Sequence, residues 1–126
     1  MMRTPVLLLA LLGLFSAAGA SAQTLRRDDP GCNLAQQRNL KGEMGGAIRD
    51  PRQAHIAMRA DILQADIGNA RKARRLSQAE AQKWWRRVDR VRRDSNRFVR
   101  QQGFLSAAER ASYDRELDMV ATAICR

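Results

Sequence analysis

This 126-residue sequence is poor in the side chains on which most catalytic and metal sites depend. It contains one histidine, His55, and two cysteines, Cys32 and Cys125, which are not spaced as Cys-x-x-Cys. A histidine-based triad would have to use His55, with a serine and an acid that no spacing singles out. The sequence also shows no glycine-rich phosphate loop and no cluster of metal ligands. We therefore expect a protein that is not an enzyme and that carries no metal or other cofactor.

Long hydrophobic runs are also scarce, and the only one lies at the N-terminus. Arg3 precedes an apolar run over residues 6–15, and Ala20-Ser21-Ala22 follows it. A basic start, a short apolar run and a small-residue cleavage site are typical of a secretory signal peptide. The run is shorter than the roughly 20 apolar residues of a membrane span. The sequence thus predicts a signal peptide over 1–22, a single helical domain over 23–126, and a periplasmic or secreted location without a transmembrane span.

The two cysteines lie near opposite ends of the predicted mature chain. Export to an oxidising compartment favours a disulfide between Cys32 and Cys125. Closing a loop of this length would stabilise the fold by about 4 to 5 kcal/mol on the chain-entropy model. The alternative is a pair of free thiols or a redox couple, which the spacing does not support.

Strand patterns are missing, because no segment alternates apolar and polar residues over any length. Helix signals are frequent. Asp50-Pro51 offers an N-cap and a first-turn proline, and two capping boxes pair Ser77 with Glu80 and Ser106 with Glu109. Each start is followed by apolar residues three and four apart, as in Ile56, Ala60, Leu63, Ile67 and Ala70. The prediction is an all-α fold of three main helices and a short N-terminal helix within residues 32–41, closed by the disulfide.

Acidic residues are scarce in one region of the chain. Residues 71–100 hold 12 cations and 3 anions, and they account for nearly all of the formal net charge of +10. On the helix that begins at Ser77, six cations recur at helical spacing, offset by two residues, or about 200°, from the apolar stripe. They should therefore point away from the core. These predicted contact residues are Lys83, Arg86, Arg90, Arg93, Arg97 and Arg100.

Two interpretations of these cations remain open. Asp89 and Asp94 lie within three or four residues of two cations each, so the face could be a solvated surface that is partly neutralised from within. Alternatively, it is a docking surface for a polyanion or an acidic protein, because two acids cannot balance six bases. Trp85 lies at the border between the core and these cations, where it would either pack structurally or anchor a partner.

Other candidate sites have structural interpretations. Asp61 with Asp66, and Asp114 with Asp118, could pair carboxylates, but they alternate with cations and are expected at the surface. His55 and Met58 lie one turn apart and could form half of a soft-metal site, although core packing is the favoured interpretation.

The capping boxes also carry a family resemblance. Leu76-Ser77 to Glu80 and Leu105-Ser106 to Glu109 form two Leu-Ser-x-x-Glu patterns. They resemble the Leu-Thr-x-x-Gln signature of the Spy/CpxP group of small, basic, all-helical periplasmic proteins, with Ser for Thr and Glu for Gln in both copies. The resemblance implies a bent helical dimer that shields unfolding proteins, or senses envelope stress, without ATP.

The sequence therefore supports two hypotheses of function. The first is a non-enzymatic exported binding protein whose arginine-rich helix face contacts an anionic envelope component or an acidic protein. The alternative is a Spy/CpxP-like periplasmic chaperone or envelope-stress sensor, with a homodimer as its expected state. Nucleic acid would suit the charge, but export argues against it as the natural partner.

Overall fold

The protein is all-α, as predicted. The computed structural model describes residues 29–126, so the predicted signal peptide lies outside the described residues. A 3₁₀ turn at Pro30–Cys32 precedes four helices: α1 (Leu34–Arg38), α2 (Pro51–Lys72), α3 (Gln78–Gln102) and α4 (Ala107–Ile124). Within residues 29–126 no helix has the length and apolar character needed to span a bilayer.

The three long helices begin where their capping signals predicted. Ser77 Oγ accepts a hydrogen bond from Glu80 N, and the Glu80 carboxylate accepts one from Ser77 N, at 3.1 and 2.9 Å. Ser106 and Glu109 form the same reciprocal pair at 3.1 and 2.8 Å. The Asp50 carboxylate accepts from Gln53 N at the start of α2. These bonds satisfy amide groups that a helix start leaves without partners.

The predicted short N-terminal helix is present, but it covers only part of residues 32–41. Only Leu34–Arg38 is α-helical, and residues 30–32 form the separate 3₁₀ turn. The chain then runs through a glycine-containing connection to α2. Gly42 is required there because a Cβ atom at this position would collide with the carbonyl oxygen of Ala54. The connection between α1 and α2 therefore passes close to the backbone of α2.

The apolar stripes of α2, α3 and α4 meet in one core. α2 packs against both α3 and α4, and α3 packs against α4. Each buried Leu, Ile or Val contributes about 1.5 to 3 kcal/mol relative to an exposed position. The fully buried side chains include Ile56, Leu63, Ile67, Val88, Leu105, Leu117 and Val120. Trp84, Phe98 and Tyr113, which the stripes also predicted to face inwards, pack against this core while remaining partly exposed.

The predicted disulfide is confirmed. Cys32 and Cys125 are bonded, with their Cα atoms 5.7 Å apart and a sequence separation of 93. The bridge joins the 3₁₀ turn to the C-terminal end of α4. It therefore links the two ends of the described chain.

Asp66 was expected at the surface, and this prediction is wrong. Its residue is 4% exposed, and its carboxylate accepts a hydrogen bond of 2.8 Å from Gly31 N. The α2 helix thereby holds the 3₁₀ turn that carries Cys32. Burial raises the pKa of Asp66 above its usual value, although the bond from Gly31 acts in the opposite direction.

We expect Asp66→Asn to raise the free energy of unfolding at pH 7. Because the pKa of Asp66 is higher in the folded than in the unfolded chain, its favourable contribution is complete below about pH 3.9 and is lost as pH rises through the raised pKa. The neutral amide avoids this cost and its oxygen can still accept from Gly31. Urea unfolding at about pH 7 and pH 3.5 should show the advantage of the variant only at the higher pH. A variant less stable at pH 7 would contradict this.

Candidate anion-binding surface

The predicted cationic face lies on one unbroken helix. α3 runs from Gln78 to Gln102, and Gly103 is its C-cap. The left-handed backbone conformation of Gly103 (φ 90°) is one that glycine adopts without strain. All six predicted cations are exposed, so the 200° offset from the core stripe placed them correctly. We name them the basic ridge: Lys83, Arg86, Arg90, Arg93, Arg97 and Arg100. From Lys83 to Arg100 the ridge extends about 25 Å, at roughly 1.5 Å per residue.

Acids neutralise the basic ridge less than the sequence suggested. Asp89 binds Arg93 at 3.1 Å and Asp94 binds Arg97 at 3.2 Å. Each acid lies within reach of two ridge cations in the sequence, but each pairs with only one. Within residues 29–126, the remaining three arginines form no ion pair: Arg86, Arg90 and Arg100. Lys83 instead stacks over Trp84, with its Nζ atom 4.7 Å from the ring centroid.

Several other cations of this region hold the helices together. Arg87 bonds to Glu116 on α4, Arg92 bonds to Asp61 on α2, and Arg75 bonds to Asp29 before the 3₁₀ turn. These arginines are thus already engaged. In contrast, Arg71, Lys72 and Arg74, at the end of α2 and in the turn that follows, are exposed and form no ion pair within the described chain.

The C-terminal half of the basic ridge borders a depression of about 440 Å³. Its lining comes entirely from α3, namely Arg90, Arg93, Asp94, Asn96, Arg97 and Arg100. Four guanidinium groups and one amide can donate hydrogen bonds to an oxyanion there, and guanidinium groups can bind phosphate or carboxylate with two parallel bonds. Because no second helix lines the depression, a ligand would be contacted from one side.

The two adjacent tryptophans have different environments. Trp84 packs against the core. Trp85 is 45% exposed and lies on the side of α3 that faces α2. It borders a small, mostly apolar notch of about 150 Å³, which Ile67, Gly68, Arg71 and Ala81 also line. The predicted border position of Trp85 is confirmed, with a cation of α2 beside it.

A buried charged cluster is the main polar feature that the sequence analysis missed. Arg59 is 0% exposed, and its two terminal nitrogens bind Asp114 Oδ1 at 2.8 Å and Asp118 Oδ1 at 2.7 Å. Asp114 and Asp118 were expected at the surface, and this prediction is wrong. The packing of α4 on α2 largely buries both side chains. Their oxygens pair there with a cation that has no access to water.

His55 belongs to the same cluster. Its residue is 2% exposed, which confirms the predicted core position. Its Nδ1 lies 2.7 Å from the Leu40 carbonyl oxygen and its Nε2 lies 2.8 Å from Asp114 Oδ1. Both partners are hydrogen-bond acceptors, so a ring nitrogen that carries a hydrogen can donate to the oxygen beside it. With both nitrogens occupied, His55 has none left for a metal or for a nearby hydroxyl.

The cluster lowers the pKa of Asp114. Burial alone would raise this pKa, but hydrogen bonds from His55 and Arg59 and the positive charges of these groups outweigh burial. Arg110 also lies 3.5 Å from the second oxygen of Asp114. The arrangement joins α2, α4 and the segment before α2 through charged hydrogen bonds, and its chemistry is that of a structural tie.

The sequence did contain a signal for this cluster. His55 and Arg59 lie four residues apart on α2, and Asp114 and Asp118 lie four apart on α4. Arg59, Leu63, Asp66 and Ala70 follow one another at intervals of four, three and four residues. This spacing places Arg59 on the inward side of α2. Complementary charges at matching spacing beside two apolar stripes could therefore have indicated a buried pairing.

Comparisons with known proteins add no family or relative to this description. No protein-family model, no curated protein and no solved structure matches this chain.

Proposed function

We propose that this protein is a non-enzymatic binding protein whose basic ridge contacts an anionic envelope component or an acidic protein. The observation that carries the proposal is the charge imbalance of the ridge: six exposed cations on one helix, of which only Arg93 and Arg97 are paired with acids within the described residues. Like charges three and four residues apart cost about 0.2 to 0.5 kcal/mol per pair. A bound polyanion would remove this repulsion.

The location of the unpaired cations supports binding over a merely solvated surface. The cations of this region that link helices, such as Arg87 and Arg92, each form an ion pair with an acid of another helix. The unpaired arginines Arg86, Arg90 and Arg100 have no such structural task. Binding through them is electrostatic and exposed, so it should weaken as salt shortens the Debye length from about 10 Å at 0.1 M to about 3 Å at 1 M.

Changing Arg86, Arg90 and Arg100 together to glutamine is expected to weaken binding to an anionic partner by about 10- to 100-fold, on the basis of about 0.5 to 1 kcal/mol per exposed charge contact. The fold should persist, because none of the three takes part in an ion pair within residues 29–126. Pull-down from an envelope extract, with wild type and variant in parallel at two salt concentrations, measures the effect.

The matched control changes three exposed cations away from the ridge, Lys41, Arg49 and Arg115, to glutamine. This variant loses the same net charge. If it loses as much binding as the ridge variant, net charge and not the ridge is responsible. Partners retained by the ridge variant at high salt would also contradict the proposal.

The chaperone alternative has less support from the surface. Among the described residues, the half-exposed large apolar side chains are Met44, Trp85, Phe104 and Met119. They belong to four different parts of the fold: the connection before α2, α3, the loop after α3, and α4. Because these side chains come from separate elements, they do not form one apolar stripe along a helix that could cradle an unfolding protein.

A further inference from the structure

We infer that the anionic partner of the basic ridge is the surface of a bilayer containing acidic phospholipids, with Trp85 placed at the lipid–water boundary. This inference rests on the proposed function, because it names the kind of anion that the ridge binds. It differs from that proposal in excluding soluble anions as the main ligand. Three features of the surface favour a lipid surface.

The first feature is that the ridge is open. Among residues 29–126, the depression beside it is lined only by side chains of α3, so no second element of this part of the chain encloses a ligand. An exposed ion pair contributes little individually because water and salt screen it. A small anion held from one side would therefore bind weakly. A surface that presents many negative charges can engage all six ridge cations at the same time.

The second feature is that the unpaired cations extend beyond one line. Arg71, Lys72 and Arg74 are exposed and lie at the end of α2 and in the following turn. Arg71 lines the same notch as Trp85, so α2 contributes positive charge beside α3. A linear polyanion would follow the ridge alone. Cations spread over two neighbouring helices match a charged plane better, and clustered basic residues are what the negative surface potential of a membrane attracts.

The third feature is Trp85. It is 45% exposed, and its indole N–H forms no hydrogen bond within the described part of the chain. The notch beside it is mostly apolar. An indole with an apolar body and a free donor is suited to the boundary between headgroups and acyl chains, where tryptophan is enriched. Cations with an adjacent interfacial aromatic are typical of a surface that rests on a membrane.

The test uses vesicles and a soluble polyanion side by side. The protein is purified as the cell processes it, and intact mass identifies its N-terminus, which all variants share. Co-sedimentation is measured with vesicles of phosphatidylcholine alone and of phosphatidylcholine with phosphatidylglycerol in equal parts. Long-chain inorganic polyphosphate is the soluble probe. We expect binding to the acidic vesicles only, weakened about 100-fold in the variant with Arg86, Arg90 and Arg100 changed to glutamine, and little changed in the Lys41, Arg49 and Arg115 control.

Fluorescence tests the position of Trp85. The protein has two tryptophans, so Trp84→Phe leaves Trp85 as the only one. Its emission should shift to shorter wavelength on acidic vesicles, and Trp85→Ser should weaken binding to acidic vesicles. An unshifted emission would overturn the interfacial role of Trp85.

The outcomes separate this inference from the proposed function. Ridge-dependent binding to polyphosphate, without binding to acidic vesicles, would overturn the lipid inference and leave the proposed function standing. Vesicle binding that the ridge variant retains, or the absence of binding to any probe and any envelope protein, would overturn both.

Discussion

Replacing Arg59 with methionine is expected to lower the free energy of unfolding by about 3 to 5 kcal/mol. Arg59 is completely buried and neutralises Asp114 and Asp118 at the same time. Methionine fills a similar volume, but the Oδ1 atoms of both carboxylates lose their shared cation in a poorly hydrated place, and of their arginine partners only Arg110 and Arg38, at the outer oxygens, remain. For a domain whose total stability is of the order of 5 to 15 kcal/mol, this is a large fraction. Urea unfolding followed by circular dichroism measures it.

A combined variant separates the lost charge from lost packing. Changing Asp114 and Asp118 to asparagine together with Arg59→Met removes the uncompensated charges and should recover most of the stability, since replacing a whole buried ionic cluster is far less damaging than removing one partner. If the combined variant is as unstable as Arg59→Met alone, packing and not charge is the cause. A loss below about 1 kcal/mol in Arg59→Met would contradict the role assigned to the cluster.

The pH dependence of this effect follows from the pKa of Asp114. Because this pKa is lower in the folded than in the unfolded chain, the stability that Asp114 supplies is present above about pH 3.9 and is lost as pH falls through the lowered pKa. The difference between wild type and Arg59→Met should therefore be largest near neutral pH and should shrink in acid.

The features that the sequence predicted well are local ones. A capping box involves a serine and a glutamate three residues apart, so Ser77 and Glu80 specify the start of α3 without knowledge of the rest of the fold. The stripe of α3 likewise fixes which side is buried, and the ridge lies opposite because of helix geometry alone. The disulfide was predictable because the sequence offers only two cysteines.

The short N-terminal helix was less predictable because tertiary contacts determine it. Helices as short as α1 are not stable alone and depend on packing. Gln37 is buried and donates from Nε2 to the Pro30 carbonyl oxygen, and Gly31 N binds Asp66 on α2. These partners are distant in the sequence or belong to irregular backbone. No local pattern could have shown that the helix ends at Arg38.

Charge pairing across helices was also beyond sequence periodicity. Asp89 and Asp94 have partners within α3, as their spacing allowed. Arg87 and Arg92 instead pair with Glu116 on α4 and Asp61 on α2, which no spacing indicated. Which flank of a helix meets its neighbour depends on the rotation and crossing of both helices. The same geometry buries Asp114 and Asp118. A periodic apolar stripe identifies the inward side of one helix. The partners of the charges beside that stripe can be identified only when the position of the neighbouring helix is known.

Changing both Cys32 and Cys125 to serine is expected to lower the free energy of unfolding by about 4 to 5 kcal/mol if the chain-entropy model holds, since the bridge closes nearly the whole described chain. The cost arises mainly in the unfolded state, which becomes free to expand. The buried core shared by α2, α3 and α4 contains neither cysteine, although Cys125 packs against it. The circular dichroism of these helices should therefore be retained at low temperature.

The loss should also have a local component. Without the covalent bond, the 3₁₀ turn and α1 are held to the helices by noncovalent contacts such as Gly31 N to Asp66 and Arg38 to Asp118. Hydrogen exchange should therefore accelerate most in residues 29–40, which open without global unfolding. Wild type unfolded with and without a reductant provides the matched comparison, because the reduced protein keeps both sulfur atoms. If reduction changes neither the urea midpoint nor exchange near α1, the bridge does not contribute to stability as proposed.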